Sequence, residues 1–206
     1  MLSLIWKDLI IQKRSWLTVV FLPVFMLIAF SNEPEAAYVA GALAVTYVLI
    51  AGACVYDDKN NSAVLWCSLP IPRRTIVLGK YFAALIFMVV GIVIVAIYGI
   101  VLQSFSLPIL TVKDISGIFF TTASFMALYF PIYFKFGYAK SRYFSIIIYV
   151  LMFMSPKLAI EQFKNNPNLL AWLQSMRAGL LVALVAVLLL IISYFISVVI
   201  YQNKDI

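Results

Sequence analysis

Few residues of this 206-residue chain could do chemistry: it has no histidine, two cysteines, eight acids and fifteen bases. Without histidine there is no Ser-His-Asp or Cys-His relay, no HExxH zinc site and no His₃ zinc centre. Cys54 and Cys67 stand thirteen residues apart, which suits neither a CxxC redox pair nor a zinc cluster, so they read as free thiols. Gly79-Lys80 has the ending of a phosphate-binding loop, but Tyr81 follows it and Arg74 stands where the first glycine should be. No nucleotide binds by that route.

What remains is one dense polar run between Tyr56 and Thr75. It opens with Asp57, Asp58, Lys59, Asn60, Asn61 and Ser62, and closes with Ser68, Leu69, Pro70, Ile71, Pro72, Arg73 and Arg74. Asn60 to Ser62 can cap a short surface helix over about 62–68, whose dipole favours Asp57 and Asp58 near its start. Pro70 and Pro72 stop that helix, and Thr75 can cap the next one. An element with acid at one end and base at the other, wedged between apolar segments, suits the transmission of force from a soluble partner. An ordinary amphipathic interfacial loop has the same composition.

The elements that must position this run are apolar. Hydrophobic residues make up 65% of the chain, about 134 in all, against roughly 45–50% in a soluble domain. At about 20 residues per crossing that is enough for about six transmembrane helices. Residues 1–14 carry Leu2, Ile5, Trp6, Leu9 and Ile10 at helical spacing and read as an interfacial helix anchored by Trp6, Lys7, Lys13 and Arg14. A signal peptide with 16–30 as its apolar core is the alternative. The spans are expected at about 15–31, 36–55, 76–103, 115–134, 143–160 and 178–201. Pro156 either ends the fifth span or is passed by it, with 157–177 forming a re-entrant or interfacial segment. Small residues (Ala36, Ala40, Gly41, Ala44 and Gly52; Gly91 and Gly99) mark faces for close packing.

Charge then sets orientation. With both ends inside, cytoplasmic segments hold Lys7, Lys13, Arg14, Lys59, Arg73, Arg74, Lys80, Lys135, Lys140, Arg142 and Lys204, leaving Lys113, Lys157, Lys164 and Arg177 outside. The +7 net charge therefore reports topology and contact with anionic lipid, not nucleic acid. Lys80 and Lys135 fall at span ends, and Asp8, Asp57 and Asp58 fall in cytoplasmic segments. No ionisable residue is expected well inside a span, so the energy source is expected to be external. Thr46, Thr121, Thr122 and Ser124 are expected to bond back to the preceding helical turn.

The run YDDKNNSAVLWCSLPIPRRTIVLGKY resembles the acidic-DK-N…SLP-x-x-R-x-x-[IV]-V-x-x-K-Y signature of small ABC-2 type permeases. Among these it is most similar to the permeases of phenol-soluble modulin exporters. The likeness carries onto Asp57, Asp58, Lys59, Asn60, Ser68, Leu69, Pro70, Arg73, Arg74 and Lys80. It implies an all-α integral membrane protein of the ABC-2 (type V) exporter fold, an N-terminal elbow helix with six spans, in the bacterial plasma membrane with both termini cytoplasmic. It implies two permease copies, identical or related, with two ABC ATPase subunits, which hold the ATP and Mg; this chain would bind no cofactor. Residues 57–72 would be the coupling helix, with the 135–142 loop as a smaller second contact. The path would run along the second and fifth spans and take amphipathic peptides arriving from the bilayer. Drug or sodium efflux, lantibiotic immunity, and a non-transporting scaffold are the alternatives.

Overall fold

The computed structural model of the chain describes residues 2–14, 16–30, 34–60, 62, 65–66, 71–101, 112–163 and 176–204, and every regular element among them is helical. Helix α1 (Leu2–Ile11) runs through a 3₁₀ turn (Gln12–Arg14) toward α2 (Trp16–Ala29). Four long helices follow as α3 (Pro34–Lys59), α4 (Arg73–Val101), α5 (Val112–Phe136) and α6 (Tyr138–Phe163), and α7 (Met176–Gln202) is the last. Pro34 begins α3 at its first position, where a missing N–H costs nothing. The expected boundaries shift by a few residues at most ends, with two substantive differences. Helix α6 passes through Pro156 to Phe163, so the expected re-entrant segment loses its first seven residues to this helix. Asp57 to Lys59 form the last turn of α3 rather than opening a separate surface helix.

Among the described residues, four helices are long and apolar enough to cross a membrane: Ala36–Lys59, Arg73–Val101, Asp114–Phe136 and Gly179–Gln202. The first and fifth of the six expected crossings would be α2 and α6, and α2, with 14 residues and so about 21 Å, is shorter than a hydrocarbon core of about 30 Å.

Helix α3 is the centre. In its most apolar stretch 72% of the residues are buried, against 28% in α7. Its small residues allow this, because lipid offers no hydrophobic drive between helices and association depends on close backbone approach. Asp57, Ala42 with Thr46, Gly41 and Tyr38 meet, in reverse order along α4, Lys80, Gly91, Val95 and Gly99, so the two helices are antiparallel over their whole length. A Cβ on Gly91 would stand 3.0 Å from both the Ala42 carbonyl and the Thr46 hydroxyl, and one on Gly99 3.0 Å from the Tyr38 hydroxyl. Thr46 donates to the Ala42 carbonyl and Thr122 to that of Ile118, the expected back-bonds, whereas the buried Ser124 hydroxyl has no hydrogen-bond partner. Enclosure of α3 has a further result. Residues 36–46 are all buried, so the N-terminal half of this helix presents no free face to a path. Outward apolar faces are found instead on α2 (Leu17, Phe21, Phe25), α4 (Phe82, Val89, Val93), α6 (Ile147, Leu151) and α7 (Leu184, Ile192).

Helices α5 and α7 lie parallel, with Ser116, Ala127 and Phe134 beside Gly179, Ser193 and Tyr201 in the same order. Gly137 alone separates α5 from α6, and its φ of 75° requires a residue without a Cβ penalty. The contacts of Asp57 with Lys80, Asp58 with Gly137, Arg73 with Gln202 and Lys204 with Phe134 gather the ends of α3 to α7 at one pole of the bundle, where α1 also lies.

Candidate functional site

At that pole a charged cluster is built from three helices. On α1, Leu4, Ile5 and Leu9 pack against the bundle, and Asp8 lies on the same face at helical spacing. Trp6 and Ile10 point the other way, Trp6 with 65% of its surface exposed. Asp8 is buried, as are Asp57 in the last turn of α3 and Lys80, the eighth residue of α4. Lys7 completes a closed quartet. Its Nζ lies 3.3 Å from Asp8 and 2.5 Å from Asp57, while Lys80 Nζ lies 2.8 Å from Asp8 and pairs also with Asp57. Each lysine bridges both carboxylates.

Electrostatics explains why the four must be together. Asp57 sits at the negative end of the α3 dipole, which disfavours it, and Lys80, in the third turn of α4, brings a buried cation to it. A lone buried charge costs several kcal/mol, roughly, and two of each sign cancel. The favourable dipole expected for Asp57 and Asp58 is therefore reversed, because the helix they belong to is the one ending there. Trp66 covers the quartet. Its ring is buried, with Lys7 Nζ at 4.5 Å and Lys80 Nζ at 5.7 Å from the centroid, a cation–π geometry at both.

The other sequence-predicted residues divide by exposure. Asp58, Lys59, Asn60 and Arg74 are exposed at the pole. Arg73 turns inward, its Nη1 donating to the carbonyls of Tyr201 at 3.2 Å, Gln202 at 2.8 Å and Lys204 at 2.9 Å. It thus caps the C-terminus of α7, where a cation is favoured. Thr75 is not a cap, since its own N–H already bonds the Pro72 carbonyl inside the first turn of α4. Lys7 serves the quartet rather than the membrane surface, while Trp6 and Lys13 remain outward. Ser62, Leu65 and Trp66 are helical; Ser68, Leu69, Pro70, Cys67 and the Arg14 side chain lie outside the described residues. The expected 135–142 loop is the single residue Gly137, with the Asp58 carboxylate beside it.

Asp8 was missed as a site residue. Its signal was present: one acid between Leu4 and Ile5 on the wheel of an otherwise apolar inner face. A second polar cluster also went unread. Tyr81 OH lies 2.7 Å from Ser193 and 2.9 Å from Ser197 of α7, and Ser193 donates to the Ala127 carbonyl of α5 at 2.6 Å. Among the described residues no group of three or more His, Cys, Asp or Glu could hold a metal ion, and Cys54 is a free, buried thiol.

An all-helical bundle with several helices long and apolar enough to cross a membrane is the architecture of a multi-pass membrane protein. The family of ABC-2 family transporter proteins matches residues 3–202, and the chain belongs to that family. Neither the curated proteins nor the solved structures give a match.

Proposed function

We propose that the chain is the permease subunit of an ATP-driven exporter in a bacterial plasma membrane, with α2 to α7 as six crossings, both termini cytoplasmic and ATP hydrolysed on a separate ABC ATPase. The observation that carries this reading is the position of residues 60–72. They join α3 to α4, an antiparallel pair in close backbone contact along its length, and they do so at the pole where α5, α6 and α7 also have ends and where α1 lies. A push on this segment reaches the centre of the bundle through one rigid seam. Asp58, Lys59, Asn60 and Arg74 supply its exposed charged rim. Asp57 and Arg73 act behind that rim by holding α4 to α3 and α7. The excess of basic residues at this pole supports a cytoplasmic placement.

Amphipathic peptides are the proposed cargo, from the resemblance to modulin exporters and the apolar outward faces of α4, α6 and α7. Two permease chains and two ATPases make the working assembly. The test is co-purification with a candidate ATPase, comparing the parent with Asp58→Ala/Arg74→Ala. Reduced assembly or ATP turnover supports the reading, and full retention of both overturns it. Stimulation of the ATPase in nanodiscs by amphipathic peptides, but not by sodium or added lipid, tests the cargo.

A further inference from the structure

Resting on the assignment of residues 60–72 as the ATPase contact, we propose that α1 is a working part of the transmission, bolted by Lys7 and Asp8 to the ends of α3 and α4 so that all three move as one body. A helix that merely anchors the chain at the interface would turn its charges to water, as Lys13 does. Instead α1 sends one charge of each sign inward. The side chains of Asp8, Asp57 and Lys80 retain only 3%, 4% and 6% of their exposure. The contact with residues 60–72 is direct as well, because Lys7 and Lys80 share the ring of Trp66. A displacement of Trp66 therefore pulls on α1 and α4 together.

The distribution of charge makes the bolt separable from the bundle. Helix α1 contributes Lys7 and Asp8, while α3 and α4 contribute Asp57 and Lys80, so each half is neutral. Lys7→Gln/Asp8→Asn unfastens α1 and leaves Asp57 paired with Lys80. A covalent substitute is at hand. A Cβ on Gly79 would lie 3.6 Å from the Leu4 Cβ, within the roughly 3.5–4.5 Å that a disulfide needs. Leu4→Cys/Gly79→Cys, made with Cys54→Ala and Cys67→Ala, can therefore replace the ionic bolt on oxidation.

The experiment has two arms. In nanodiscs holding the chain alone, Lys7→Gln/Asp8→Asn is expected to slow oxidation of the introduced cysteine pair several-fold; an unchanged rate overturns the fastening. In the complex with the ATPase, Lys7→Gln/Asp8→Asn is expected to keep assembly yet lower cargo-stimulated ATP turnover about tenfold. Closing the disulfide should restore that turnover, and should leave it unchanged when Lys7 and Asp8 are present. Full turnover in the unfastened variant, or loss of turnover on closing the disulfide in the parent, overturns the proposal. If the parent chain binds no ATPase, the assignment of residues 60–72 falls, while the oxidation rate still decides whether α1 is bolted.

Discussion

On α4, Lys80 turns toward α1 and α3, while the next residue, Tyr81, turns toward α5 and α7. The two sides of the helix hold their buried polar groups by different means. Lys80 belongs to a ring of four charges from three helices, in which every member is needed for neutrality. Tyr81 belongs to a chain of hydroxyls in which Ser193 keeps a bond to the Ala127 carbonyl whatever Tyr81 does. Loss of one charge leaves an uncompensated ion in a low dielectric. Loss of the Tyr81 hydroxyl costs Ser197 its bond but leaves Ser193 on the Ala127 carbonyl. The charged side is thus an all-or-none joint and the hydroxyl side a graded one.

The largest expected effect comes from breaking neutrality. Lys80→Met leaves two aspartates against Lys7 and should destabilise the chain by about 3–5 kcal/mol, measured by denaturant unfolding in detergent. Adding Asp57→Leu removes the second half of that pair and should recover most of the loss. No recovery would mean that packing, not charge, governs this side. Gly91→Ala touches neither polar cluster but pushes α3 from α4 at the 3.0 Å contact with Ala42. It should cost about 1–3 kcal/mol and weaken the quartet through register. Tyr81→Phe should cost less, about 0.6–1.7 kcal/mol, and a loss equal to that of Lys80→Met would erase the contrast. The smallest effect is expected for Arg73→Gln, about 0.3–1 kcal/mol, with faster amide exchange confined to the last turn of α7.

Much of the fold was legible because lipid makes composition decisive. The helices of the long spans, the small-residue seam at Gly91 and Gly99, and the back-bonding threonines all follow from local pattern. The charged site was legible only in part. Arg73 and Asp57 stood out as members of a polar run, but local spacing placed them only at the two ends of a short surface helix, and their partners lie elsewhere in the chain. Arg73 finds Gln202, 129 residues away, and Lys80 finds Asp8 at a separation of 72. Pairings of that reach carry no periodic signal. Pro156 left two readings open, and the helix takes the one that passes it, since a proline is tolerated within a membrane helix where neighbours can satisfy the freed carbonyl. Asp8 alone could have been read locally, from its place on the inner face of α1.

The separation of the quartet's members along the chain also orders its biogenesis. Lys7 and Asp8 leave the ribosome first, Asp57 follows, and Lys80 arrives last. Until then the growing chain carries an excess acid at this joint and α1 has no completed seat. Only when α4 has been made does its lysine meet the two carboxylates, so the seat of α1 is completed by a helix that follows it in the chain by some sixty residues.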